Sequence, residues 1–429
     1  MHNKQQFLTE YRVIGTIKKP LKKGHKQMMK KKYLILSTVL LSILMGVVIL
    51  FLAEVSLRFF FPKDDQYRNQ NAAYMYDSTL LIKLIPSIER FFVRDAIDGA
   101  QTIRWKTNLH GFRQGPLRKG VRRIMVYGDS NIQAVFSKDK DTYCSSLQEY
   151  IEELCVDSVE VINAGVVGYG PDQCFLRFSQ DIEVYHPNDA VFVLFGHNDY
   201  GDIIRNRLFE LDSLGHLVRT SNVRELDPLL QKKGLFDDLR LIDLVFALRK
   251  KIGLDRSLSH DEIRDKTITM YQDLCEGQFN NYILQRANLY SNFYDNYDID
   301  VATCPSSYPA QVKRRLIEEV MRQITLVAEQ NNIRLCFVIL PSAVDVTKHR
   351  SISSIDLQQF PEYSPTNLTD PMVKIGHQLN VPTLDLFSMY SSENPDELYF
   401  SGEFNNHWTD YNQNISARKT AELICNGGN

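Results

Sequence analysis

One short apolar run in this chain ends in residues with the chemistry of a reactive turn. Ile124-Met125-Val126-Tyr127 leads directly into Gly128-Asp129-Ser130. A serine hydroxyl is a weak nucleophile; it needs a base within hydrogen-bond reach and donors for the oxyanion it generates. Residues able to play those parts end other stretches of the chain. Asn163-Ala164-Gly165 closes a second apolar run, Gly196-His197-Asn198-Asp199 a third, and His407 stands in "NNHW" ahead of the last helical stretch. A histidine is a base, and a glycine N–H and a side-chain amide are two kinds of oxyanion donor. Gly-Asp-Ser alone is also ordinary turn and helix-cap chemistry. The elements that deliver these residues therefore decide between the two readings.

Those elements alternate. Ile124–Tyr127, "VEVINAG" (Val159–Gly165), "DAVFVLFGHND" (Asp189–Asp199), "IRLCFVILP" (Ile333–Pro341) and "VPTLDL" (Val381–Leu386) are strand-like. Between them lie stretches with apolar residues at helical spacing, such as "YCSSLQEYIEELC" and "VKRRLIEEVMRQITLVAEQ", and a final helix is expected near Asn414–Cys425. Strands apolar on both faces, alternating with helices, predict an α/β fold with a doubly wound parallel sheet covered on both sides in three layers. In such sheets the ligand site lies beyond the carboxyl ends of the strands, where the serine, glycine and asparagine fall. The pattern breaks at about 201–307, a charged and aromatic stretch with one clear helical segment, "LRLIDLVFALRKKIG". An insertion there is either a lid over the site or an external elaboration that packs on the core.

The charge balance, 50 Lys and Arg against 52 Asp and Glu, conceals a local asymmetry. Residues 1–32 are strongly basic, with Glu10 the single acid, and they end in Lys30-Lys31-Lys32. Residues 33–53, "YLILSTVLLSILMGVVILFLA", carry no charge. That is the length of helix needed to cross a hydrocarbon core of ~30 Å. A cleaved signal would have a shorter apolar region and a small-residue cleavage site, which "FLAEVSLRFFF" lacks. The expected organisation is a basic cytoplasmic segment (1–32), a transmembrane anchor (33–53), a juxtamembrane segment (54–120) and an extracytoplasmic domain (121–425), by the positive-inside rule. "MMKKKYLILS" from Met28 has the look of a bacterial N-terminus, which would make residues 1–27 an upstream mis-start. The seven cysteines show no metal-ligand spacing and no assignable pairing, and Cys336 reads as a core residue. No phosphate-binding glycine loop and no basic aromatic groove for nucleic acid stands out. No cofactor or metal is expected.

In order along the chain, Gly-Asp-Ser after a strand, "INAGVVGYG", "GHND" and "NHW" resemble the SGNH (GDSL-type) hydrolases over roughly residues 107–199 and 310–424, and "NLHGFR" with the anchor resembles a membrane-bound bacterial subgroup. The resemblance implies the flavodoxin-like form of the doubly wound sheet. It implies Ser130 as nucleophile and first oxyanion donor through its N–H, Gly165 N–H and the Asn198 amide as the other donors, and His407 as base. Asp129 and Asp199 are implied as scaffolding, and His197 as structural.

One position departs from the family pattern. Where an aspartate is expected two or three residues before the histidine, the chain has Asn405 and Phe404, with Glu403 one step earlier. Orientation of His407 then falls to Asn405, to Glu403 or to a backbone carbonyl. The resemblance implies an ester hydrolase whose substrate is an O-acyl ester, with acyl groups on a surface glycan suggested by the location. The same site also suits an O-acyltransferase, and a silent binding or assembly protein is a third reading.

Overall fold

Successive side chains of a strand point to opposite faces, so strands apolar on both faces commit a sheet to burial between helices. The computed structural model describes residues 21–60, 73–96, 99–155, 158–206, 208–220, 241, 244, 298–346, 358, 360–400 and 407–426. The chain divides into two units, Met1–Asp64 with Lys233–Arg256, and Asp65–Lys232 with Ser257–Asn429.

The first unit contains helix α1 (Leu21–Phe60), whose stretch Met28–Phe59 is long and apolar enough to cross a membrane. None of its most apolar window is buried. The helix starts earlier and ends later than the uncharged run 33–53, because lysines are good helix formers and do not stop it. Near its end Glu54 accepts from Arg58 Nε at 2.7 Å and from the N–H of Leu241 at 3.0 Å. Most of the expected insertion, including the question of a lid, falls outside the described residues.

In the second unit, two antiparallel hairpins come first: β1 (Tyr74–Asp77) with β2 (Leu81–Leu84), and β3 (Glu89–Ala96) with β4 (Gly99–Lys106). Then β5 (Arg122–Tyr127) runs into the one-turn helix α2 (Ser130–Gln133), followed by α3 (Tyr143–Leu154), β6 (Val159–Asn163), α4 (Pro171–Tyr185), β7 (Asp189–Phe195) and α5 (Asp199–Asn206). A small hairpin, β8 (Phe209–Leu211) with β9 (Leu217–Arg219), precedes α6 (Ile299–Thr303), α7 (Tyr308–Gln330), β10 (Arg334–Leu340), α8 (Asp370–Gln378), β11 (Thr383–Asp385) and α9 (Asp410–Asn426).

Five strands make one sheet in the order β11-β10-β7-β5-β6, parallel at every pairing. Taken in chain order this is 2-1-3-4-5, the flavodoxin-like form of the doubly wound fold. Alternate residues divide between two cores. Met125, Tyr127, Ile162, Phe192, Leu194, Phe337 and Ile339 face α4, α7 and α8. Ile124, Val126, Val161, Val191, Val193 and Val338 face α3 and α9. Each such side chain, once fully buried, contributes about 1.5–3 kcal/mol.

The segment before β5 shares the first of these cores, through Ala73, Leu80, Leu84, Ile103, Trp105 and Phe112. It also bonds to the strand-tip turns: Asn163 N donates to Gln114 Oε1 at 3.0 Å, and Tyr169 OH to Ile82 O at 2.6 Å. On the opposite face, α3 and α9 are joined by Tyr143 N to Gln413 Oε1 at 2.7 Å, Tyr143 OH to Thr420 Oγ1 at 2.7 Å, and a disulfide between Cys155 and Cys425. That pairing was not legible from the cysteine spacing.

Candidate active site

The carboxyl tips of β5, β6 and β7 carry the residues singled out above. Asp129 caps α2: its Oδ1 accepts from Asn131 N at 2.8 Å, which sets Ser130 at the first helical position. The hydroxyl of Ser130 lies 3.4 Å from Asp129 Oδ2 and 3.0 Å from His407 Nε2. Serine and histidine, 277 residues apart, are thus a hydrogen-bonded pair. For Nε2 to take the serine proton, the ring must carry its own proton on Nδ1.

His407 is held by backbone pairing on both sides. Phe400 N donates to His407 O at 3.0 Å, Thr409 N to Leu398 O at 3.0 Å, and Tyr399 and Trp408 form an antiparallel bridge. The buried Phe136 ring meets the imidazole edge-on, with centroids 4.7 Å apart. Glu403, Phe404 and Asn405 lie outside the described residues.

The glycine turn differs in detail from the expectation. Gly165 N–H donates to Asn163 Oδ1 at 3.0 Å, so it already serves the turn. A Cβ at this position would come within 2.5 Å of Gln133 N and 2.7 Å of Ile132, so glycine is required for the close approach of this turn to α2. Three residues on, Gly168 has φ +74°, and its carbonyl accepts from Arg205 Nη2 at 3.0 Å. Its N–H has no partner among the described residues. The helix that follows this turn begins at Pro171, and α2 is a single turn.

Asn198 stands just before α5. Its Nδ2 donates to Asp202 Oδ2 at 2.9 Å, and its second amide hydrogen is not used by any described residue. Asp199 accepts from Phe195 N at 2.7 Å and ties the turn to β7. Burial pushes its carboxyl well above the usual range, and the neighbouring carboxylates of Asp129, Asp202 and Asp298 push it the same way. Burial likewise lifts Asp129 to about 6, against the pull of the Asn131 N–H. His197 is buried, stacks on Phe195 and shares a hydrogen bond of 2.9 Å with Ser342 Oγ. Its partners connect β7 to the tip of β10, which is a structural role.

Several supporting residues were not singled out in the sequence. Gln133 Oε1 accepts from Val167 N at 2.6 Å and Gln133 Nε2 donates to Tyr74 OH at 3.0 Å, linking α2 to the glycine turn and to β1. Asp298, on the far side of the insertion, receives Gly201 N at 3.0 Å and the buried Lys313 at 3.0 Å, while its own N–H donates to His197 O. Single polar residues in turns and one-turn helices carry no periodic signal, so only the fold reveals such links. Among the described residues no group of three His, Cys, Asp or Glu is placed to hold a metal ion.

Fold and site together define a doubly wound α/β protein with a serine–histidine pair at the strand tips. No protein-family model matches this chain, and no curated protein matches it. Solved structures similar to it include a lipolytic protein of the G-D-S-L family from Desulfitobacterium hafniense DCB-2, at 10% identity and TM-score 0.32, covering 70% of this chain and 98% of that one. A lipase/acylhydrolase from Enterococcus faecalis is similar at 14% identity and TM-score 0.33, covering 71% of this chain and 94% of that one. The acetylxylan esterase Axe2 from Geobacillus stearothermophilus, solved as a catalytic mutant, is similar at 10% identity and TM-score 0.35, covering 72% and 95%.

Proposed function

We propose that this chain is a serine ester hydrolase of the SGNH type, anchored by α1 with its α/β domain outside the cytoplasm. The observation that carries the chemistry is the 3.0 Å contact between Ser130 Oγ and His407 Nε2 at the tip of the sheet. In this reading His407 takes the serine proton as Oγ attacks the ester carbonyl. It returns the proton to the departing alcohol, and water then hydrolyses the acyl-enzyme by the same route. Ser130 N–H, the free amide hydrogen of Asn198 and a backbone N–H of the glycine turn stabilise the oxyanion. Gly168 suits the last part better than Gly165, whose N–H is engaged by Asn163. Asp129 and Asp199 order the turns.

Two features support the location. Lysines flank the amino-terminal side of the apolar helix, which favours that side inside. The Cys155–Cys425 bond belongs to an oxidising compartment. An O-acyl group on a surface glycan is the substrate class that this location favours.

The test is labelling with a fluorophosphonate probe. Wild type labels at Ser130, and Ser130→Ala and His407→Ala each lose labelling and ester turnover. The double variant is no worse than either single one, because members of a catalytic unit fail together. Folded wild-type protein that does not label overturns the hydrolase reading and favours a silent binding protein.

A further inference from the structure

The unit Thr107–Gly115, upstream of the sheet, contains an arginine enclosed by the protein. Arg113 is 4% exposed, and its guanidinium lies over Trp105, 5.8 Å from the ring centroid. Nη1 donates to the carbonyls of Gln133 and Ala134. Nη2 donates to Ser137 O at 2.6 Å and to Asp139 Oδ1 at 3.2 Å. The three carbonyls belong to the end of α2 and the bend that follows it.

Other bonds reach that end of the nucleophile turn one at a time, Asn163 Nδ2 to Ile132 O at 2.7 Å and Ser137 N to Ala134 O at 3.0 Å, whereas Arg113 gathers three of its carbonyls at once. Two backbone bonds close α2, Gln133 N to Asp129 O and Ala134 N to Ser130 O. A helix this short is not stable by itself, and its last carbonyls have no partners within it. Ala134, which ends it, sits in the left-handed region at φ 53°, unfavourable for a residue with a Cβ. A planar guanidinium reaches several acceptors at once in a fixed fork; a lysine ammonium is a point charge on a flexible stem.

We propose that Arg113 is a positioning residue for Ser130. It pins the carbonyl end of the nucleophile turn, as Asp129 pins the amide end, so that the hydroxyl meets His407 before substrate arrives. The inference rests on the reading of Ser130 as nucleophile. It assigns the segment between the anchor and the sheet a share in the catalytic geometry.

The experiment compares full-length wild type, Arg113→Lys and Asp139→Asn in detergent, well below their melting midpoints. It reads the rate of fluorophosphonate labelling at Ser130, and kcat and KM on p-nitrophenyl acetate. Arg113→Lys keeps the charge and loses the fork; labelling and kcat should each fall about ten-fold or more with KM within two-fold. Asp139→Asn removes the ion pair and leaves the fork, and should behave as wild type. Arg113→Gln, which removes the buried charge and keeps one amide donor, is the second variant if the lysine does not fold; the same readouts apply.

Labelling of the arginine variant at the wild-type rate, an equal loss in Asp139→Asn, or a change in KM alone overturns the proposal. So does failure of both arginine variants to fold, which assigns the residue to stability only. Wild type that does not label overturns the nucleophile reading itself, and the proposal with it.

Discussion

Asn131 Oδ1 accepts from Trp408 N at 3.0 Å, so the residue after the serine grips the residue after the histidine. The carbonyl of the same asparagine accepts from Gln413 Nε2 at 3.0 Å, and Gln413 Oε1 holds Tyr143 N. The two halves of the site, far apart in sequence, are thus registered through adjacent residues and not only through the Ser130–His407 contact. Asn131→Ala leaves a buried N–H without its acceptor, which costs about 1–3 kcal/mol. Urea unfolding should show that loss, and labelling of Ser130 should slow in the folded variant. Lost stability with an unchanged labelling rate would confine Asn131 to the core.

The proposed oxyanion donors separate by what each residue does to folding. Asn198→Ala should lower turnover by about 10²–10³ with little change in KM, the usual effect of losing one donor. Gly165→Ala should destabilise strongly, because its Cβ would strike the backbone of α2. A Cβ at Gly168 would meet only Arg205 Nη2, at 4.0 Å and in ordinary contact, so Gly168→Ala should cost only the left-handed strain, about 1–2 kcal/mol. Thermal melts of the two alanine variants give this order directly, and the reverse order would show that the Gly165 turn can yield.

Asp172, at the start of α4, is fully buried, and burial pushes its carboxyl up to about 7 although Asn206 and Gln173 N donate to Oδ1. Its Oδ2 has no partner among the described residues. A carboxyl raised in the fold above its unfolded value of 3.8 binds its proton more tightly when folded. Its stabilising share is complete below about pH 4 and is lost as pH rises to about 7. Asp172→Asn should therefore match wild type at pH 4 and exceed it at pH 8, by an amount on the order of a few kcal/mol. Denaturant midpoints across that range measure the difference. Equal midpoints at pH 8 would mean that the carboxylate is solvated.

How far the sequence could be read depended on what signal each part carries. Four of the five sheet strands are built on apolar runs, and one such as Asp189–Phe195, buried at every position, declares itself, whereas β11 is only Thr383-Leu384-Asp385. Ser130, Asn198 and His407 stood out because they follow such runs or precede a helix. The hairpins before β5 carried no comparable signal: β1 and β2 are four residues each, and their burial comes from tertiary contacts. Gly165 was legible as the glycine that closes an apolar run; its use by Asn163 was not, since a turn's internal hydrogen bonds leave no trace in residue type. Arg113 lies in a loop and Gln133 ends a one-turn helix, and only the fold shows that their partners are the carbonyls and amides around the serine.

The bond between Cys155 and Cys425 spans a sequence separation of 270, with Ser130 upstream of the first cysteine and His407 upstream of the second. Any cut in the chain between Cys155 and His407 leaves one fragment bearing α1 and the serine, and another bearing the histidine. The disulfide keeps the two covalently joined, so a protease acting on the intervening stretch nicks the molecule without shedding half of its site. On a gel such a nicked chain runs whole until a reductant is added.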